Sequence, residues 1–342
     1  MFKRLIHRAA LKAERVADQL FSRTGKGRVI DPYIGYATPD QIILRGRVLS
    51  KLRHSSAVEG QTRLTNLRQM LGMFLTDEVR DVTVRCGDAE ALTDEEGYFT
   101  LLLPRDARTG RHSEQVYIEE GQVPTLCPFL VPAVDARFMV ISDIDDTMLE
   151  TGAYSLMRNL FTSFTGNSLT RLVFPDAVDL MNALSEGGRN PIYYVSSSPW
   201  NLHDFLADIF ENTRLVRGPM FLRDLGLSDT KFITDGHGSH KGASIDHILR
   251  ANPDLPTILL GDTGQHDARI YRDVIERHND RIIAVGLRTP GAGIDAQDKR
   301  DLDAIAATGV AHFAGPDFTE LAKNLAEEHP DLFPCSSNEN RD

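Results

Sequence analysis

Cysteine is scarce in this sequence. Cys86, Cys127 and Cys335 are scattered over 342 residues, form no CxxC pair and are odd in number. That argues against a disulfide framework and makes a reducing compartment the expected setting. Long apolar runs are missing too. Nothing approaches eighteen consecutive apolar residues, so no membrane-spanning helix is expected. The N-terminus lacks the uninterrupted apolar centre of a signal peptide, and a cytoplasmic protein is the expectation. Positive charge is in deficit: 38 Lys and Arg against 49 Asp and Glu give a formal net charge of -11. General nucleic-acid binding needs a broad basic surface and is not expected. No long self-similar period points to a solenoid.

The length of the chain exceeds one average domain, so two domains with a substantial core are expected. Residues 1–28 open with Phe2, Leu5, Ile6, Ala9, Ala13, Val16, Ala17 and Leu20 on one helical face, flanked by Lys3, Arg4, Arg8, Lys12 and Arg15. Such a basic amphipathic helix docks on its own protein or a partner, or lies peripherally on an anionic membrane, each basic residue contributing about 1 kcal/mol there. Residues 29–134 read as a β-rich domain. Strand-like runs occur at "DQIILRGRVL" (40–49), "DVTVRC" (81–86) and "GYFTLLL" (97–103), with the turn "TDEEG" before the last. A helical insert is expected around Leu67, Met70, Leu71 and Phe74, and Pro124, Pro128 and Pro132 punctuate an apolar connector.

From residue 135 to 329 strands alternate with helices, the pattern of an α/β parallel sheet. The candidate strands are Phe138 to Ile141, Ile192 to Val195, Thr257 to Leu260, Ile282 to Gly286 and Val310 to Phe313. The clusters "DIDDT", "SSSPW" and "GDTGQHD" fall at carboxyl ends of the first three, where open α/β sheets bind ligands. Residues 330–342 read as a flexible tail.

In "ISDIDDTMLETG" (141–152), an extended exit from the strand would place Asp143, Asp145 and Thr147 on one face and Asp146 on the other. Crowded carboxylates repel unless a hard cation such as Mg²⁺ sits between them and Asp262. Asp143, ionised, is then suited to attack phosphorus, and Asp145 to shuttle the proton. Asp267 opens a helix carrying Ile270, Tyr271, Val274 and Ile275, so capping and metal support both suit it. Ser198 before Pro199 reads as the cap of the helix containing Leu202, Phe205, Leu206 and Ile209. Lys241 sits near the start of the helix bearing Ile245, Ile248 and Leu249, where the macrodipole disfavours a cation unless an anion is present. His237, His240 and His266 form no compact transition-metal motif.

"SDIDDT", "SSSPWNL", "LRD", "HK" and "GDTGQHD" together resemble the catalytic domain of the actin-patch phosphatidate phosphatases, within the haloacid dehalogenase superfamily. The resemblance covers residues 136 to 290. It implies a Rossmann-like parallel sheet of haloacid dehalogenase type, preceded by a smaller, sandwich-like β-rich domain. It makes Asp143 the nucleophile and a metal ligand, and Asp145 the acid/base whose main-chain carbonyl also binds Mg²⁺. Asp262 completes the metal site with support from Asp267. Ser196 and Lys241 hold the phosphoryl group, with Lys231 the competing lysine. Thr147, Ser197 and Arg223 are the accompanying substrate-binding positions; Arg158 and Arg171 are further headgroup candidates. Thr263 stands where the family usually has Ser. The stripe Met157, Leu160, Phe161 and Phe164 lies where the superfamily often inserts a cap, and suits acyl chains or ordinary packing.

The expected activity is Mg²⁺-dependent hydrolysis of phosphatidate to diacylglycerol and phosphate through an aspartyl-phosphate. Alternatives are a phosphatase for a soluble metabolite or another lipid phosphate, and a non-catalytic membrane adaptor.

Overall fold

A computed structural model describes residues 28–50, 79–118, 123–150, 173–223, 237–278, 280–289, 291 and 293–330. The N-terminal amphipathic helix, the insert around Leu67 to Phe74, the stripe from Met157 to Phe164, Arg158, Arg171, Lys231 and nearly all of the expected tail lie outside the described residues.

The first part of the chain builds a five-stranded sheet from β1 (Val29–Ala37), β2 (Gln41–Leu49), β5 (Tyr98–Pro104), β6 (Gly110–Val116) and β7 (Thr125–Val131), in the order β5-β2-β1-β7-β6. Its pairings are antiparallel except β1 with β7, which run parallel. A hairpin of β3 (Thr83–Cys86) and β4 (Ala89–Leu92) accompanies it. Alternation drives the packing: Ile42, Leu44 and Val48 of β2 and Phe99 and Leu101 of β5 bury one face, where they meet Val82, Val84 and Cys86. The apolar connector expected between Pro124 and Pro132 is instead strand β7. Pro128 lacks a ladder donor, but it sits just ahead of the short pairing to β1, which joins Gly35 to Phe129 and Tyr36 to Leu130.

The second part forms a parallel six-stranded sheet ordered β10-β9-β8-β11-β12-β13, so the described chain is mixed α/β. Its strands are β8 (Met139–Ser142), β9 (Ile192–Pro199), β10 (Met220–Arg223), β11 (Thr257–Asp262), β12 (Ile282–Arg288) and β13 (Ala311–Gly315). Period two divides their side chains between two cores. Val140, Ile192, Tyr194, Ile258 and Leu260 face α1 (Pro175–Ser185), α2 (His203–Thr213) and α6 (Leu321–Glu328). Met139, Ile141, Tyr193, Val195 and Leu259 face α3 (His237–Ala251), α4 (Asp267–His278) and α5 (Ala296–Ala307). Helices on both faces explain why β8, β9 and β11 read as continuous apolar runs.

The two sheets share a seam. Tyr36 and Ile43 join the core that contains Phe221. The Arg45 guanidinium donates to the carbonyls of Ile34 at 3.2 Å and Met220 at 3.1 Å, and lies over the rings of Tyr36, Trp200 and Phe221. Tyr33 stacks on Trp200 with ring centroids 5.0 Å apart, and the Tyr36 hydroxyl is 2.6 Å from His247 Nε2.

Candidate active site

The carboxyl ends of β8, β9 and β11 bring the three polar clusters together. Asp143 follows β8, with its N-H donating to Leu260 O at 2.8 Å. The chain then departs from the extended course expected from sequence. Met148 N and Leu149 N both donate to Ile144 O, Asp146 N donates to Leu149 O at 2.7 Å, and Asp146 takes the left-handed conformation at φ 57°. An acidic side chain tolerates that region better than most. The tight turn, not strand alternation, sets the acidic side chains. It also buries Thr147, whose hydroxyl donates to Asp143 Oδ2 at 3.2 Å.

Lys241, 2% exposed, joins the strand ends from α3. Its Nζ is 2.8 Å from Asp143 Oδ1 and 2.7 Å from Asp267 Oδ1. Burial opposes the ammonium charge, but Asp143 and Asp267 outweigh it and hold Lys241 protonated. Asp267 opens α4, where its Oδ2 accepts from Asp262 N at 3.3 Å. Asp262 Oδ1 accepts from Gln265 N at 2.8 Å. Gly261 is required by this closeness: a Cβ there would fall 2.6 Å from Asp267 Oδ2 and 2.8 Å from the Tyr271 hydroxyl.

Asp145 is organised from β9. Its Oδ2 accepts from Ser196 Oγ at 2.6 Å and Ser198 Oγ at 2.8 Å, while Ser198 N donates to Ser196 Oγ at 2.8 Å. Ser198 is therefore not the helix cap expected from sequence. β9 runs on to Pro199, a short 3-10 turn follows at Trp200–Leu202, and α2 begins at His203. The hydroxyl turns inward because a buried carboxylate needs donors. Ser197 is half-buried between the two serines, and Arg223, also half-buried, ends β10 in register with Pro199.

Burial dominates the electrostatics of the acidic cluster. Burial raises Asp143 well above the carboxylate range; Lys241 opposes this, and Asp267, Asp145 and Asp262 add to it. Burial, then Asp267, pushes Asp262 up to about 8. Asp145 is raised by burial despite its two serine donors. Asp143, Asp262 and Asp267 place ligand oxygens within 4.8 Å of one another. Asp145 Oδ1 and Asp262 Oδ2 are buried without a hydrogen-bond partner among the described residues, while Asp143 Oδ1 has its ion pair with Lys241. Buried acceptors left this way cost about 1–3 kcal/mol each. An all-oxygen donor set with unfilled lone pairs fits a hard divalent cation.

Arg288 is a supporting residue that sequence reasoning did not single out. It is buried at the end of β12, donates through Nε to Thr147 O at 3.1 Å and through Nη1 to Pro316 O at 3.1 Å, and pairs through Nη2 with Asp176 at 2.7 Å. The rings of Phe174 and Phe318 lie 3.9 and 4.4 Å from its guanidinium carbon. Its own carbonyl accepts from Thr263 N at 3.0 Å. Arg288 thus touches both the turn after β8 and the loop after β11. A cation closing the apolar run "IIAVGLR" is the one sequence signal that marks it.

Residues 138–289 match the family model described as phosphatidate phosphatase APP1, catalytic domain. The chain is 27% identical over 149 residues to phosphatidate phosphatase APP1 of Saccharomyces cerevisiae, covering 44% of this chain and 25% of that protein. It is 25% identical over 205 residues to an uncharacterized protein of Schizosaccharomyces pombe, covering 57% of this chain and 34% of the other. The chain therefore spans a quarter to a third of the length of these relatives. Among solved structures, ferredoxin-NADP+ reductase from Plasmodium falciparum aligns with a TM-score of 0.20 and 10% identity, over 77% of this chain and 95% of that one.

Proposed function

Because residues 138–289 belong to the phosphatidate phosphatase APP1 catalytic-domain family, we propose that this chain is a Mg²⁺-dependent phosphomonoesterase that hydrolyses phosphatidate to diacylglycerol and phosphate. One observation carries the reading: a buried Asp143 paired with Lys241 at 2.8 Å, beside Asp262 and Asp267, at the carboxyl ends of a parallel sheet. On this reading the sheet is Rossmann-like, of haloacid dehalogenase type. Residues 29–134 and 135–329 are its two domains, and residues 1–28 an N-terminal arm that meets an anionic lipid surface.

Asp143, Asp145 through its main-chain carbonyl, and Asp262 would hold Mg²⁺, with Asp267 in support. When bound, the cation neutralises the crowded carboxylates and draws negative charge from the phosphoryl oxygens. The chain's own residues do the rest. A carboxylate oxygen of Asp143 bonds to phosphorus as the bond from phosphorus to the ester oxygen breaks, and Asp145 gives its proton to that leaving oxygen. The burial that raises Asp145 suits it to carry this proton. In the second half Asp145 takes a proton from water, the water oxygen bonds to phosphorus, and the acyl-phosphate bond breaks to restore Asp143. Lys241 keeps its charge beside Asp143 and orients both nucleophile and phosphoryl group. Ser196, Ser197, Thr147 and Arg223 are the proposed phosphate-side contacts, Ser196 exchanging its bond to Asp145 for one to phosphate.

The test measures phosphate release from phosphatidate vesicles and from soluble phosphomonoesters, with and without Mg²⁺, for wild type and Asp143→Asn. Vesicle-selective, Mg²⁺-dependent release lost in the variant is expected. Equal release by the variant would remove Asp143 as nucleophile, and preference for soluble esters would reassign the substrate. Vesicle binding unchanged by deletion of residues 1 to 21 would remove the lipid role of the arm.

A further inference from the structure

Within "GDTGQHD" the conspicuous side chain without a role so far is Gln265. Its backbone N-H donates to Asp262 Oδ1 at 2.8 Å. Its side-chain Nε2 donates to the main-chain carbonyl of Asp145 at 2.9 Å, across 120 residues of sequence, and lies 3.5 Å from Asp146 Oδ2. Both groups facing the amide are acceptors, so nitrogen and not oxygen must point at them. One residue therefore ties the turn after β8 to the loop after β11.

The two segments it joins are each bent out of ordinary backbone geometry. Asp146 has φ 57° and His266, next to Gln265, has φ 67°. Left-handed conformations in residues other than glycine cost about 1–2 kcal/mol each and persist when surrounding contacts hold them. Asp146 directly follows the carbonyl that accepts, and His266 directly follows the residue whose amide donates. A carbonyl oxygen has two lone pairs, so accepting from Gln265 leaves one for a cation.

We propose that Gln265 is a positioning residue for the divalent cation, holding the Asp145 carbonyl and the Asp262 carboxylate at a fixed separation. The inference rests on the proposed function, because it takes those two groups as ligands. Gln265 itself coordinates nothing. The backbone bond to Asp262 is open to any residue but proline at position 265, whereas the side-chain bond to Asp145 needs the amide. The amide's contribution is therefore separable by mutation.

The experiment uses the full chain and reads Mg²⁺ binding without substrate, by calorimetry and by the Mg²⁺-induced rise in melting temperature. Gln265→Met keeps the side chain's length and removes both donors; Gln265→Ala is the second variant should Met pack badly. Losing a hydrogen-bond partner that orients a ligand weakens metal affinity by about 10–100-fold, and a loss of about 10-fold is expected. The metal-free melting temperature should fall only slightly, as one part-buried hydrogen bond is lost, and KM for phosphatidate at saturating Mg²⁺ should not change. Wild-type Mg²⁺ affinity in both variants overturns the inference while the proposed function stands. A rise in KM with Mg²⁺ affinity intact also overturns it, making Gln265 a substrate contact. Failure of the wild type to bind Mg²⁺ removes the proposed function and this inference together.

Discussion

The five-stranded sheet and the carboxyl end of the parallel sheet bury their residues on opposite terms. In the first, Ile42, Leu44, Phe99, Leu101 and Cys127 are sealed together, with Arg47 and Thr93 the exceptions nearby. In the second, Asp143, Asp145, Lys241, Asp262 and Asp267 are buried side by side. Apolar burial lowers the free energy of folding at about 25 cal/mol per Å². Buried carboxylates raise it unless they are paired, protonated or bound to a cation. One region stabilises the chain; the other draws on that stability to hold charges where chemistry needs them.

Mutations should therefore separate the two. The largest effect is expected from Asp143→Asn, with phosphate release falling by about 10³-fold or more. The metal-free melting temperature should change little, because asparagine keeps the side chain's shape and Lys241 keeps its pair with Asp267. A clear fall in that temperature would mean that Asp143 also stabilises the fold. Lys241→Met leaves Asp143 and Asp267 facing each other without their cation, and breaking a buried pair this way costs about 3–5 kcal/mol. Urea unfolding should show that loss together with lost activity.

Leu44→Ala reverses the pattern. It should cost about 2–5 kcal/mol of stability with kcat near wild type below the melting transition, and a kcat loss at full folding would show the sheet reaching into the chemistry. Arg288→Lys sharpens the boundary between the regions. Lysine keeps the charge and loses the guanidinium fork that reaches Thr147, Pro316 and Asp176 together. A loss of about 1.5–3 kcal/mol in stability with a modest fall in kcat is expected, since Thr147 in turn donates to Asp143.

The smallest effect is pH-dependent. Asp262 holds its proton more tightly folded, at about 8, than its ordinary value of 3.8. Its contribution favours folding at low pH and is lost as pH rises through about 8. Asp31, raised to about 9 by burial and by Asp204, acts with the same sign. Metal-free protein should therefore melt lower at high pH, and Mg²⁺ should recover the Asp262 part if, as proposed, the ionised carboxylate is its ligand. A Mg²⁺-induced gain in melting temperature that does not grow with pH would contradict this account.

Much of the α/β half is written locally. Apolar runs ending in "SDIDDT", "SSS" and "GD" announce both the strands and the carboxyl ends on which the site is built. β1 and β7 are harder to see because Pro32, Gly35 and Pro128 read as breaks, and β10 because Met220–Arg223 is only four residues long. Their pairing comes from partners remote in sequence. The same holds for the inward turn of Ser198 and the ties made by Gln265 and Arg288. Asp145 lies 53 residues from Ser198, and Asp176 lies 112 from Arg288. No local periodicity carries such information.

The aromatic seam bears on how this protein can be dissected. Trp200 follows Ser198 by two positions, and Tyr33 and Arg45 from the other sheet cover its ring. A fragment trimmed to the family-matched residues would strip that cover, baring Trp200 and Phe221 to solvent just where the serine loop needs support. A piece that begins ahead of β1 keeps that cover, so the sheet that contributes none of the acidic groups still shields the loop carrying their serines.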